Sequence, residues 1–158
     1  MSSVTLAPMT PATQDALRGI SVTPEQVNFS GQPSEVVDLD EPLVDIHVIH
    51  AGDQVAGMFR IDRGFHLHQH YAASTTYGLR TFLVDHRLQG RGIARACCKQ
   101  LPAYLGRHYP QAEAILLTVN LKNPAARRAY LAGGFLETGA QYMDGGFGPQ
   151  HILKLPLR

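Results

Sequence analysis

A chain of 158 residues, 44% hydrophobic and 17% charged, can close one full core, so a single domain over residues 1–158 is expected. Its formal net charge of +1 offers no basic field, and nucleic acid is not an expected partner. No run approaches about eighteen apolar residues and no basic-then-apolar leader opens the sequence, so no membrane association is expected. Cys97 and Cys98 sit side by side without metal or redox spacing, which suits a reduced, cytoplasmic setting.

In chain order, Ser3 to Ala7 reads as a first strand, and Thr10 caps a short helix that begins at Pro11. Thr23-Pro24-Glu25-Gln26 is a capping box with proline at the first helical position, and it opens a second helix. Glu35, Asp38, Asp40 and Glu41 form an acidic stretch, read first as a solvated loop and second as a lure for a polycationic amine. Leu43 to His50 and Gln54 to Ile61 are apolar runs joined by Ala51-Gly52-Asp53, a hairpin signal. His66, His68 and His70 alternate, which on a strand places three imidazoles on one face; a surface strand or a hairpin loop is expected, and with no carboxylate or cysteine to complete a ligand set, no metal.

Thr76 to Val84 is rich in β-branched and aromatic residues and ends apolar, as a buried strand does. Beyond Asp85 the chain enters Gln89-Gly90-Arg91-Gly92-Ile93-Ala94-Arg95. From Ile93 the apolar positions Cys97, Leu101, Tyr104, Leu105 and His108 recur at helical spacing. Gly90 and Gly92 let the backbone approach a ligand closely, and the first amides of the helix lack intrahelical acceptors at the positive end of its dipole. With Arg87, Arg91 and Arg95 around the same turn, a phosphorylated ligand is expected there. A P-loop would need Gly-Lys-Ser or Gly-Lys-Thr, and a dinucleotide fingerprint would need glycine in place of Arg95. Pro102, inside the helix, removes the bond to the Cys98 carbonyl, and a kink is expected there.

Ala114 to Asn120 is an apolar run suited to a buried strand, Asn123 an N-cap followed by Pro124 at the first helical position, and Gly133-Gly134 a helix stop. Asn123 and Tyr130 lie about two helical turns apart, on one side of that helix. Phe135 to Met143 and Ile152 to Leu157 read as a closing hairpin around Asp144-Gly145-Gly146-Phe147-Gly148-Pro149.

Two of these segments carry a resemblance. Gln89-x-x-Gly92-x-Ala94 after a strand ending in Val84 resembles the acetyl-CoA signature of the GNAT superfamily of N-acetyltransferases. Leu117-x-Val119-x-x-x-Asn123-x-x-Ala126-x-x-x-Tyr130-x-x-x-Gly134-Phe135 is similar to the C-terminal half of the same core. The resemblance covers most of the chain and implies an α/β (α+β) fold. Its central sheet would be mixed and mostly antiparallel, flanked by helices, with one parallel pair splaying apart near Val84 and Asn120.

It also implies a chemistry: the acetyl group of acetyl-CoA, a co-substrate, passes to a primary amine by direct attack. Main-chain groups at Leu83 and Val84 would hold the pantetheine arm and an oxyanion, and amides from Gln89, Gly90, Arg91, Gly92, Ile93, Ala94 and Arg95 would take the pyrophosphate. Asn123 would touch the cofactor arm and Tyr130 would protonate the departing thiolate, which an unperturbed phenol pKa near about 10 permits. The strand before the turn carries Arg80 and Thr81 where relatives place a glutamate, so no base is assigned and a water relay is the default. Thr23 to Gln26 and Gly148 to His151 are weakly similar to diamine and polyamine acetyltransferases. A polyamine-like acceptor is the first expectation; a peptide or protein amine, or an acyl-CoA-binding regulatory module without catalysis, are the alternatives. A homodimer through an exposed apolar strand near the C-terminus is a further expectation of the resemblance.

Overall fold

Apolar alternation along seven strands builds one sheet, described here from a computed structural model over residues 3–26, 31–143 and 148–158. The strands are β1 (Val4–Pro8), β2 (Val44–Ala51), β3 (Gln54–Asp62), β4 (Thr76–Val84), β5 (Ala114–Asn120), β6 (Leu136–Tyr142) and β7 (Gln150–Pro156). Their order across the sheet is β1-β2-β3-β4-β5-β7-β6, and every neighbouring pair is antiparallel except β4 and β5. The helices are α1 (Pro11–Leu17), α2 (Pro33–Val36), α3 (Ile93–His108) and α4 (Pro124–Ala132). The expected α/β architecture and its element order hold, with strand ends displaced by a residue or two.

Local chemistry explains the boundaries. Thr10 and Thr13 form a reciprocal capping box, at 3.2 Å from the Thr13 amide to Thr10 Oγ1 and 2.7 Å for the return bond. Thr23 donates its amide to Gln26 Oε1 at 3.2 Å as residues 24–26 turn helical, one half of the capping box read there, while the Gln26 amide donates to the Thr23 carbonyl at 2.9 Å rather than to its hydroxyl. Gly52 takes φ 60 at the first central position of the β2–β3 hairpin, where a type II′ turn asks for glycine. The Asp144 to Phe147 part of the last hairpin lies outside the described residues.

α3 buries Ile93, Cys97, Cys98, Leu101, Tyr104 and Leu105 on one face of the sheet, against Phe59, Ile61, Leu79, Ile115 and Leu117. His108, counted with that stripe in the sequence, is exposed at its end. The helix is continuous through Pro102. Gly133 of the α4 C-cap sits where a Cβ would collide with the Cys98 carbonyl oxygen, the group that Pro102 leaves without its helical donor. The opposite face carries Leu17, Val36, Val37, Val48, Met58 and Leu83, brought together by α1 and α2. Among the described residues no helix is long and apolar enough to cross a membrane.

Two sequence expectations are sharpened here. Phe65–Leu67 is a short 3-10 turn, so of the two readings of this segment the loop holds and the strand does not, and His66, His68 and His70 do not share a strand face. β6, the edge strand, is exposed along most of its length but reads Leu-Glu-Thr-Gly-Ala-Gln-Tyr, a more polar edge than the apolar strand expected for pairing.

Candidate active site

β4 and β5 are bonded only from Thr76 to Gly78 against Ala114 to Leu116; beyond that the strands diverge. The gap leaves the β5-facing edge of Leu83 and Val84 without a strand partner, and a cleft of about 900 Å³ passes through it from one face of the sheet to the other. Leu83, Val84, Gln89, Gly90, Gly92, Ile93, Ala94, Arg95, Asn123 and Tyr130 all line this cleft. Arg91 is exposed and stands outside the lining.

On the α3 side the turn is built from backbone. Gly90 and Gly92 take φ 80 and 78, and nothing lies within 4 Å of where their Cβ atoms would be. Left-handed backbone, rather than crowding, is what asks for glycine at both. Gly92 is the N-cap of α3 and provides no side-chain cap, so the first amides of α3, at Ile93, Ala94 and Arg95, stay open toward the cleft. Gln89 has a structural task that its motif position did not reveal. Its side-chain amide donates to the Val84 carbonyl at 2.9 Å and exchanges bonds with the Gln26 amide at 2.9 Å, fixing the turn to the end of β4.

Asp85 and Arg87 belong to the support of this turn. The Asp85 carboxylate is fully buried, accepts the Arg87 amide at 3.2 Å and pairs with its guanidinium at 2.6 Å. Burial pushes this carboxyl upward, but the Arg87 hydrogen bonds prevail and hold it below its ordinary value. Asp85 is thereby no base, and Arg87, counted among the free cations of the turn, is engaged.

Tyr130, on α4, lines the cleft. It is 7% exposed, with its ring edge-on to Phe82 and Phe135 at 5.6 Å each, and its hydroxyl makes no hydrogen bond among the described residues. Burial, reinforced by Cys98 and Cys97, drives its pKa well above the ordinary phenol value, so it is protonated at neutral pH. Asn123 caps α4 by accepting the Ala126 amide at 3.3 Å while also lining the cleft. Cys97 and Cys98 are buried thiols raised by burial, Cys98 to about 12, and neither lines the cleft.

The other face is built from side chains drawn from four segments, and sequence reasoning missed most of them. Thr81 is the one described non-glycine residue with positive φ, at 50, in a bulge where the β3–β4 register shifts. For a β-branched residue this is strained backbone. Arg60, nearly buried, holds the Thr81 hydroxyl with Nε at 2.9 Å and Nη2 at 2.7 Å, and its Nη1 donates to Glu41 at 2.7 Å. Burial, then the Arg80 charge, lowers the Arg60 guanidinium from its ordinary value against the pull of Glu41. Arg80 reaches the other Glu41 oxygen at 3.3 Å and Asp62 at 3.4 Å. Asp62, with a side chain 4% exposed, also accepts the Gly64 amide at 2.9 Å and faces His68 Nε2 at 2.7 Å. Gly57 is a missed structural residue too, since a Cβ there would fall on the Leu83 carbonyl oxygen.

The acidic stretch divides accordingly. Glu41 bridges two arginines, and Asp38 pairs with Arg18 at 2.7 Å, while Glu35 and Asp40 are exposed.

A parallel pair splayed around a two-faced cleft, with a glycine-capped helix on one side, defines an acyl-CoA-dependent acyltransferase fold. The model of the acetyltransferase (GNAT) family matches residues 15–135, and the chain belongs to that family. It is an N-acetyltransferase of this type with acetyl-CoA as co-substrate. It is 28% identical over 143 residues, 87% of each chain, to the uncharacterized N-acetyltransferase YbbJ of Bacillus subtilis (strain 168). In fold it is similar to the aminoglycoside acetyltransferase AAC(6')-Ib in complex with coenzyme A, with a TM-score of 0.77 and 18% identity over 98% of this chain and 95% of that one. It is also similar to a spermidine N-acetyltransferase from Vibrio cholerae in complex with CoA and spermine, with a TM-score of 0.72 and 15% identity over 98% and 96% of the two chains.

Proposed function

We propose that the protein, as one catalytic unit over residues 1–158, acetylates the primary amine of a small molecule, with Tyr130 as the acid. The observation that carries this reading is Tyr130 itself, a largely buried, protonated phenol that lines the same cleft as the open amides of α3 and the arginines of the opposite face. The amides of Ile93, Ala94 and Arg95 suit the pyrophosphate of acetyl-CoA, with Gln89, Gly90 and Arg91 shaping the turn, and the free edge at Leu83 and Val84 suits its pantetheine arm. Asn123 borders the same arm.

The amine enters from the other face. Its nitrogen attacks the thioester carbon, and an amide at Leu83 or Val84 stabilises the negative oxygen that forms. The C–S bond then breaks, and Tyr130 donates its proton to the thiolate. The ammonium proton leaves through water, with His68 oriented by Asp62 at the cleft wall to receive it. Buried, high-pKa cysteines outside the cleft favour this direct route over an acetylated cysteine. The solved neighbours named above are an aminoglycoside acetyltransferase and a spermidine N-acetyltransferase, but here Asp38 and Glu41 of the acidic stretch are paired with arginines, which speaks against a polyamine as the acceptor. We place the reaction in the cytoplasm.

Thiol release from acetyl-CoA tests this, run with polyamines, amino acids, simple amines and peptides against a no-amine control. Amine-dependent release is expected. Tight CoA binding without turnover on any amine would favour a regulatory acyl-CoA module instead, and turnover on peptides alone would favour a protein-directed enzyme.

A further inference from the structure

We infer that the acceptor amine carries an anionic group, a carboxylate or a phosphate, that the guanidinium of Arg80 receives inside the cleft. The inference rests on the acetyl-transfer reading above and names the substrate class of that site.

Charge lining the cleft is of one sign. Arg60, Arg80, Arg95 and Arg128 face it, and no aspartate or glutamate does among the described residues. Arg95 and Arg128 lie on α3 and α4, toward the donor side, whereas Arg60 and Arg80 lie on β3 and β4. A polyammonium chain entering past these groups would meet four guanidinium groups and no carboxylate, so its charges would go unpaired.

Arg60 and Arg80 are directly opposite each other across β3 and β4, a like-charge pairing that weakens a sheet. Holding the Thr81 bulge needs only one of them, since Arg60 alone bonds the Thr81 hydroxyl. Arg80 contributes nothing to that bulge. Its side chain is 36% exposed and uses only Nη1, on Glu41 and Asp62, so Nε and Nη2 make no hydrogen bond among the described residues. Two carboxylates thus fix one corner of a guanidinium and leave the remaining donors directed elsewhere, the geometry in which arginine accepts a planar anion with paired bonds. Phe65 packs where a Gly78 Cβ would be and brings the loop bearing His68 and Gln69 against β4, closing the wall beside Arg80.

Thiol release with matched acceptors tests the inference: glycine against glycinamide, β-alanine and phosphoethanolamine against ethylamine and ethanolamine, and spermidine as the polycation. The wild-type protein is expected to favour the acidic member of each set by about 10- to 100-fold in kcat/KM, the span of charge-assisted hydrogen bonds, expressed mainly in KM. Which acid is preferred separates a carboxylate from a phosphate. Arg80→Gln should remove that preference, bringing kcat/KM for each acid down to that of its neutral partner measured in the same variant, and Arg80→Lys should restore part of it. Turnover of neutral or polycationic amines with no advantage for the acids would overturn the inference and leave the acetyltransferase reading standing. Absence of thiol release with every amine would overturn both. The wild-type comparison needs no variant, so it decides the matter even where Arg80→Gln does not fold.

Discussion

The two faces of the cleft are made of different material. On the α3 side the groups offered to a ligand are backbone amides, positioned by two left-handed glycines and one uncapped helix end. On the other side they are side chains, those of Arg60, His68, Arg80 and Thr81, held from behind by Glu41 and Asp62. A backbone site can bind the same phosphates whatever the neighbouring side chains are. A side-chain site ties its chemistry to a particular acceptor, so one protein keeps a generic donor seat beside a specific acceptor seat.

Four measurements would break or sharpen this contrast. The largest effect is expected in the cleft that the two faces share: Tyr130→Phe should lower kcat by about 100-fold or more, with KM for both substrates little changed. A loss confined to KM would make Tyr130 a wall residue only.

The second lies away from the cleft and asks whether side-chain networks elsewhere carry comparable weight. His47 is 3% exposed and stacked on Phe59, with Nδ1 and Nε2 each 2.6 Å from the hydroxyls of Tyr104 and Tyr109. Tyr109 donates to Asp45 at 2.8 Å, so Nε2 must be the donor toward Tyr109 and Nδ1 the acceptor from Tyr104. Burial lowers the His47 pKa to about 4, with Asp45 opposing and His108 assisting. The unfolded chain therefore takes up this proton first as pH falls, and the native state should lose about 3 kcal/mol between its unfolded pKa near 6.5 and pH 4. Urea midpoints across that window measure the loss, and His47→Gln should flatten the slope attributed to it.

The third effect is smaller. Gly92→Ala keeps the side-chain face intact but opposes a left-handed backbone, at a cost of about 1–2 kcal/mol. KM for acetyl-CoA should rise several-fold while KM for the amine stays within error. Equal changes in both would show that the faces are not independent.

The same contrast decides what the sequence could tell. Gly90, Gly92, Asn123, Pro124 and Gly134 occupy positions where backbone geometry limits the residue type, so their spacing is readable along the chain. Alternating apolar runs likewise gave the strands to within a residue or two. Thr81 carries no such mark, because its strain arises only once β3 and β4 pair with a bulge. Arg60 and Arg80 look like ordinary strand cations until the register sets them opposite each other. The triple histidine left two readings for the mirrored reason: alternation implies one face only on a strand, and Phe65–Leu67 turns as a 3-10 segment. The acidic stretch read as a solvated loop, and Glu35, Asp38 and Asp40 are exposed, but Glu41 and Asp38 also have arginine partners far away in sequence.

The smallest perturbation, ligand addition without mutation, addresses the central claim most directly. Backbone hydrogen exchange is measured with and without CoA. The account predicts new protection at Leu83 and Val84 and from Gly90 to Arg95, with Arg60, Asp62 and Arg80 unchanged. Protection on the arginine face, with none at the glycine turn, would contradict it.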